Sequence, residues 1–233
     1  MSNTEEFLKI FNELEAYLRK LVNEPRYNPF KNLINEAKKK NPAVGEYAND
    51  LWEFAELRNG LVHAARDKIL AEVNDTGLCL IKEISQKIKC PPTAFDIATK
   101  SVHVCQMDDH LLSEIKIMKE KIFTHVPVYE GNRFIGILSE SSIFNWQCET
   151  TKENFISQDM KVRDIKKFLD INNRLNEYFE FVSKGTNAYL IKQWFTEAIK
   201  KNKRLGAVFV TENGKQDGKM LGIITAWDLP RIK

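Results

Sequence analysis

Two short stretches of the 233-residue chain combine residue types that could do chemistry. In Arg58-Asn59-Gly60-Leu61-Val62-His63, a helix sets Asn59 and His63 four apart on one face, with Arg58 flanking it. An imidazole next to a guanidinium can serve as general acid–base while the Arg holds a phosphate. That combination cleaves RNA without metal. His63 would activate the ribose 2′-hydroxyl or protonate the leaving oxygen, and Arg58 would stabilise the charged phosphorane. The plainer alternative makes His63 a core histidine hydrogen-bonded by Asn59, with Arg58 paired to Glu56, Asp67 or a neighbouring carboxylate.

The second stretch is Gly222-Ile223-Ile224-Thr225-Ala226-Trp227-Asp228, where a strand ends and a helix begins. Thr225 can present its hydroxyl beside free backbone N–H groups, where the helix dipole favours an anion. Asp228, one turn on, can accept hydrogen bonds from a pair of vicinal hydroxyls. A hydroxyl for phosphate and a carboxylate for ribose describe a nucleotide clamp. The plainer alternative is that both residues only cap the following helix.

The elements that must position these residues differ in texture along the chain. Residues 1–89 read as helix: Phe7, Ile10, Phe11, Leu14, Tyr17, Leu18 and Leu21 recur at three- and four-residue spacing. A second helix from Phe30 to Lys40 closes at Asn41-Pro42. A third from about Ala43 to Ala65 carries Leu51, Phe54, Ala55, Leu61 and Val62 as its buried stripe. Asn74-Asp75-Thr76 offers N-cap chemistry for a last helix through Ile88, completing a bundle of four or five helices. After Cys90-Pro91-Pro92 the pattern alternates strand and helix. Strand-like runs at His125–Tyr129 and Phe134–Leu138 return 80–87 residues later at Leu205–Val210 and Leu221–Thr225, each pair preceded and followed by a helix. An internal duplication fixes the architecture.

The two copies resemble CBS domains, which occur in tandem as a Bateman module. The resemblance is carried by MKEKIFTHVPVYEGNRFIGILSESSIF and IKKNKRLGAVFVTENGKQDGKMLGIITAWDL, each with G-h-h-[ST] opening a helix. It implies a first β-α-β-β-α repeat over 93–149 and a second over 158–233, which with the helical bundle over 1–89 make an α+β multidomain chain. In CBS domains that bind adenosine nucleotides, the residues matching Thr225 and Asp228 hold phosphate and ribose. The family often sets a basic residue before the apolar strand, here Lys203-Arg204. The resemblance thus implies AMP, ADP or ATP as a regulatory ligand. Copy one departs from the pattern: Ser139 matches Thr225, but Ser142 stands where the ribose-binding Asp is expected, and Phe123-Thr124 replace the basic pair. One good nucleotide site per chain is expected. The extra sequence at Lys166–Tyr178 reads as a solvated loop or helix.

ELRNGLVHAARD resembles the R-x(4–6)-H motif of HEPN domains, in which a polar residue follows the Arg. That resemblance implies a metal-independent endoribonuclease leaving a 2′,3′-cyclic phosphate. It also implies a homodimer in which two motifs face each other across one cleft. A Tyr that some members use as a nucleotidylation target is Ala65 here.

Composition narrows the field. Lys and Arg exceed Asp and Glu by only three, and the 14 basic and 14 acidic residues of 1–89 cancel, so any polyanion must be held at a local site. Cys79, Cys90, Cys105 and Cys148 form no CxxC pair and the histidines do not join them at ligand spacing, so no metal site is expected. Buried thiols in a reducing cytoplasm are the natural reading. No apolar run approaches the ~20 residues of a membrane span. The expectation is a HEPN-type ribonuclease governed by an adenine nucleotide in its CBS pair. The alternative is a nucleotide-sensing regulator whose helical domain only dimerises or docks.

Overall fold

The computed structural model describes residues 2–23, 29–63, 72–149, 155–172, 174 and 177–232, and of residue 63 the backbone alone. The chain divides into two compact units: Met1–Pro92 with Asn187–Leu190, and Thr93–Thr186 with Ile191–Lys233.

The first unit carries α1 (Asn3–Val22), α2 (Phe30–Lys40), α3 (Pro42–Glu46), α4 (Ala48–His63) and α5 (Asp75–Lys89). Ser2 begins α1 with a capping box: its hydroxyl accepts the Glu5 amide at 3.2 Å, and the Glu5 carboxylate accepts the Ser2 amide at 2.8 Å. Phe7, Phe11, Leu14 and Leu18 form the buried stripe that packs α1 against its neighbours, with the Phe7 ring edge-on to Phe54 at 5.9 Å. Asn74 caps α5 by accepting the Gly77 amide at 2.8 Å. The single helix expected from Ala43 onward is two. Asn41 caps α3 through the Ala43 amide at 3.1 Å, Pro42 supplies a preset first turn, and Tyr47 separates α3 from α4. Leu51, Phe54 and Ala55 are buried as expected, whereas Val62 is 43% exposed. Ala65 and Asp67 lie outside the described residues.

In the second unit, α6 (Ala94–Ile97), β1 (Cys105–Gln106), α7 (Leu111–Lys121), β2 (His125–Glu130), β3 (Arg133–Ser139) and α8 (Glu140–Glu149) are followed by a 3-10 helix at Val162–Phe168. Then come β4 (Glu177–Ser183), α9 (Ala188–Lys200), β5 (Arg204–Thr211), β6 (Met220–Ile224) and a 3-10 helix at Ala226–Arg231. The strands form two three-stranded sheets, β1-β2-β3 and β4-β5-β6, each with a parallel pair joined across a helix and then an antiparallel hairpin. A Phe cluster joins the sheets: Phe179, Phe181 and Phe209 with Phe134, packed on Ile137 and Ala207.

Each repeat is completed by a segment leading the other. The Ile137 amide donates to the Leu169 carbonyl at 2.9 Å, and Ile223 and Thr99 exchange backbone hydrogen bonds at 3.0 and 2.9 Å. This crossing explains the repeated glycine. A Cβ on Gly136 would stand 2.1 Å from the Leu169 carbonyl oxygen, and one on Gly222 would stand 2.9 Å from the Ala98 Cβ. The segment expected as a solvated excursion at Lys166–Tyr178 is therefore partly structural. Leu169 is fully buried in the core of the first sheet, beside Val162 and Ile165, and Glu177 opens β4. Its charged residues misled the sequence reading because the apolar ones are spaced to fill a turn rather than a full helix face. Of the cysteines only Cys105 is buried, its thiol pushed up to about 12 chiefly by burial; Cys79, Cys90 and Cys148 are exposed and all four are unpaired.

Candidate functional site

The densest polar cluster lies inside the repeat unit, around Glu177. β4 begins at this residue, and its side chain is only 1% exposed. Gly206 on the paired strand makes room for it: a Cβ there would stand 2.8 Å from the Glu177 Oε1. His125 at the start of β2 meets Oε1 through Nε2 at 2.8 Å, and Arg174 donates from Nη1 to Oε2 at 2.9 Å. Arg204 adds a longer ion pair, Nε to Oε1 at 3.6 Å, from a side chain 56% exposed. Burial pushes the Glu177 carboxyl up, but the His125 hydrogen bond and the charges of His125, Arg174 and Arg204 outweigh it and hold the group below its ordinary range.

Arg174 reaches further, into the turn that ends β3. Its Nη1 donates to Ser139 Oγ at 2.7 Å, and its Nη2 donates to Ser142 Oγ at 3.0 Å and to the Ile137 carbonyl. Ser139 and Ser142 are each 1% exposed. They also bind each other's backbone turn, since Ser142 Oγ accepts the Ser139 amide at 3.1 Å. Ser139 is thus held in a buried network.

The matching turn after β6 uses the same positions with different chemistry. Asp228 Oδ2 accepts the Thr225 amide at 2.8 Å and the Thr225 hydroxyl at 3.0 Å. Its Oδ1 accepts Thr99 Oγ1 at 3.1 Å and pairs with Arg231 Nη1 at 2.8 Å. Both carboxylate oxygens are therefore in use, and the capping alternative describes their present arrangement. Arg231 also donates to the Ile97 carbonyl at 2.9 Å, and its side chain is 52% exposed.

The duplicated Gly-h-h-[Ser/Thr] turn, with each repeat crossed by the other's leading segment, sets the family comparison. Residues 94–149 match the family model of the CBS domain. Among solved structures the chain is similar to CBSX2, described in complex with AMP, at 19% identity over 60% of this chain and 94% of that one, TM-score 0.41. A CBS domain pair in complex with 5′-methylthioadenosine and S-adenosyl-L-methionine shares 16% identity over 60% of this chain and 93% of that one, TM-score 0.41. A CBS domain protein of Thermoplasma acidophilum shares 18% over 60% and 68%, TM-score 0.42. No curated protein matches the chain.

The basic pair before the second CBS-like hairpin lines a cavity of about 620 Å³ together with Lys201, Asn202, Tyr178, Arg174 and Glu177. Two residues beyond the end of helix α9 stands a left-handed residue, Asn202 at φ 52°, which turns Lys203 and Arg204 into place. Of the residues expected to form one clamp, Lys203 and Arg204 line this cavity, and Thr225 and Asp228 are not among its described lining residues. Ser139 and Arg204 instead share Glu177 as a neighbour. Sequence reasoning missed His125, Arg174, Glu177, Thr99 and Arg231. The Arg174/Glu177 pair, three residues apart just before an apolar run, was the available signal.

In the helical unit, Arg58 and Asn59 line a second cavity of about 460 Å³ with Arg19, Lys31, Trp52 and Glu56. Arg58 donates from Nη1 to Asn59 Oδ1 at 3.2 Å. Lys31 Nζ lies 4.9 Å from the centre of the Trp52 ring. Residue 63 ends α4, and its side chain lies outside the described residues. No described group of three His, Cys, Asp or Glu side chains could hold a metal ion, and no described helix is long and apolar enough to cross a membrane.

Proposed function

We propose that the protein is a nucleotide-responsive regulator whose repeat unit takes the phosphates of AMP, ADP or ATP. The observation that supports this best is the 620 Å³ cavity, where Lys201, Lys203 and Arg204 stand together with a single carboxylate, Glu177, already engaged by His125 and Arg174. Excess positive charge in a concave site draws a polyphosphate, and Arg can bind its oxygens in pairs. At the turn after β6, Asp228 remains the candidate for ribose, on displacement of the exposed Arg231 from Oδ1, and Thr225 the candidate for phosphate.

Calorimetric titration with each nucleotide tests the reading. Lys203→Glu with Arg204→Glu should weaken binding at least about tenfold, roughly 1.4 kcal/mol, while Asp228→Ala changes it less. The opposite ranking moves the ligand to the Thr225 turn. Absence of binding by all three nucleotides overturns the proposal.

A second reading concerns the helical unit and rests on the cavity shared by Arg58 and Asn59 with Lys31 and Trp52, where Arg19 is already paired with Glu15 at 2.6 Å. Cations beside an exposed ring suit a single-stranded RNA segment, with bases stacking and phosphates paired. His63 would then act as general acid–base in HEPN-type cleavage, in a homodimer that brings two motifs together. Wild type should release 2′,3′-cyclic phosphate ends from RNA without added metal, at a rate set by nucleotide, and His63→Ala should not. Equal rates in the two proteins leave the helical unit as a dimerising or docking element.

A further inference from the structure

The hydroxyls that the first CBS-like turn would offer to a ligand are taken by a side chain of the same polypeptide. The Arg174 side chain is 6% exposed, and each edge of its guanidinium meets an acceptor. Nη1 faces Ser139 Oγ at 2.7 Å and Glu177 Oε2 at 2.9 Å. Nη2 faces Ser142 Oγ at 3.0 Å and the Ile137 carbonyl, with the Leu169 carbonyl at 3.4 Å and that of Phe168 at 3.5 Å. Nε points to the Asp170 carbonyl at 3.4 Å. The Phe179 ring lies 5.1 Å from the guanidinium carbon and closes one side. Acceptors at all three nitrogens, a carboxylate for charge balance and an aromatic face are the chemistry that recognises a guanidinium.

We propose that the first-repeat turn is a guanidinium-binding socket, occupied in cis by Arg174 and thereby closed to outside ligands. The socket belongs to the fold rather than to Arg174. Ser139 and Ser142 are fixed by their own turn, the Ile137 carbonyl by β3, and Glu177 by His125 on its other oxygen. Ser142 is a meaningful departure on this account. Its hydroxyl accepts from Arg174 while donating to the Ile137 carbonyl at 3.0 Å, which a carboxylate could not do. Arg174 and Glu177 also border the 620 Å³ cavity, but the proposal does not depend on which nucleotide that cavity takes.

Arg174→Ala in the full chain removes the occupant and leaves the socket. The variant should melt well below wild type. About 10 mM guanidinium chloride, far below denaturing levels, should raise its melting temperature saturably, as any ligand of the native state does. Methylguanidinium should act likewise, and equal sodium chloride or urea should not. Wild type should gain nothing from either cation. Adding Ser142→Ala to the variant should weaken the rescue. If Arg174→Ala does not fold in sodium chloride, the folded fraction recovered on refolding in guanidinium reads the same site. A response of Arg174→Ala to guanidinium no greater than to sodium, or an equal gain in wild type, overturns the proposal.

Discussion

The two repeats share a sheet topology and a Gly-h-h-[Ser/Thr] turn, yet close that turn in opposite ways. The second places a carboxylate at its third position after Thr225, and Asp228 holds an arginine, Arg231, at the surface. The first places a hydroxyl there, and Ser142 holds an arginine, Arg174, in the interior, with the carboxylate supplied from Glu177 on the other repeat's sheet. A carboxylate inside the turn can satisfy its own backbone amide and keep its counter-ion exchangeable. A hydroxyl needs charge brought from elsewhere, and the distance between Ser142 and Glu177 is spanned by a guanidinium that then cannot leave cheaply. The same local motif therefore yields one turn open to exchange and one locked.

The largest expected contrast is between the two arginines. Arg174→Ala should reduce unfolding free energy in urea by about 3 kcal/mol, since it takes the charged partner from Glu177 Oε2 and leaves the buried Ser139, Ser142 and Ile137 acceptors without their donor. Arg231→Ala should cost less than about 1 kcal/mol, because Arg231 itself faces solvent and Asp228 keeps its Thr225 and Thr99 hydrogen bonds. Equal losses would break the comparison. Next come the paired glycines. Gly136→Ala meets backbone and should cost about 3 kcal/mol, whereas Gly222→Ala meets chiefly a methyl group and should cost about 1 kcal/mol.

The pH dependence of stability sharpens the account of Glu177. A carboxyl held below its ordinary value of 4.5 contributes stability that is full above that value and is lost as pH falls through the lowered one. Glu177→Gln, although weaker overall, should show an acid-limb slope shallower by up to about 1.4 kcal/mol per pH unit. An unchanged slope would assign the acid sensitivity elsewhere. The smallest effect concerns the helix ends before each hairpin. Both residues are left-handed, Asn202 at φ 52° and Ile122 at φ 58°, and a β-branched residue is strained there. Ile122→Asn should stabilise the chain by about 1 kcal/mol.

What was legible in the sequence follows the range of the forces involved. Helical stripes such as Phe7–Leu18 and the paired hairpins are local patterns, and a duplicated Gly-containing turn is visible by comparing one copy with the other. The α3/α4 break was missed because Pro42 reads as a helix start without revealing that Tyr47 soon ends the turn. The candidate site was legible only in part. Ser139, Thr225 and Asp228 sit where the turn puts them, but their partners Arg174, Thr99 and Arg231 are chosen by tertiary contacts that no spacing encodes. Arg204's neighbour Glu177 was hidden in the same way, because it comes from strand register: β5 pairs Val208 with Ile224 on one side and Arg204 with Glu177 on the other.

The reciprocal backbone contacts, Leu169 on Ile137 and Thr99 on Ile223, bear on how the repeat unit comes into being. A ribosome delivers the first hairpin before Leu169 exists, so that sheet emerges with a polar amide unmet and the glycine groove beside it vacant. Thr99 waits longer still, through the whole second repeat, for Ile223. Contacts separated so widely in the chain make for slow folding.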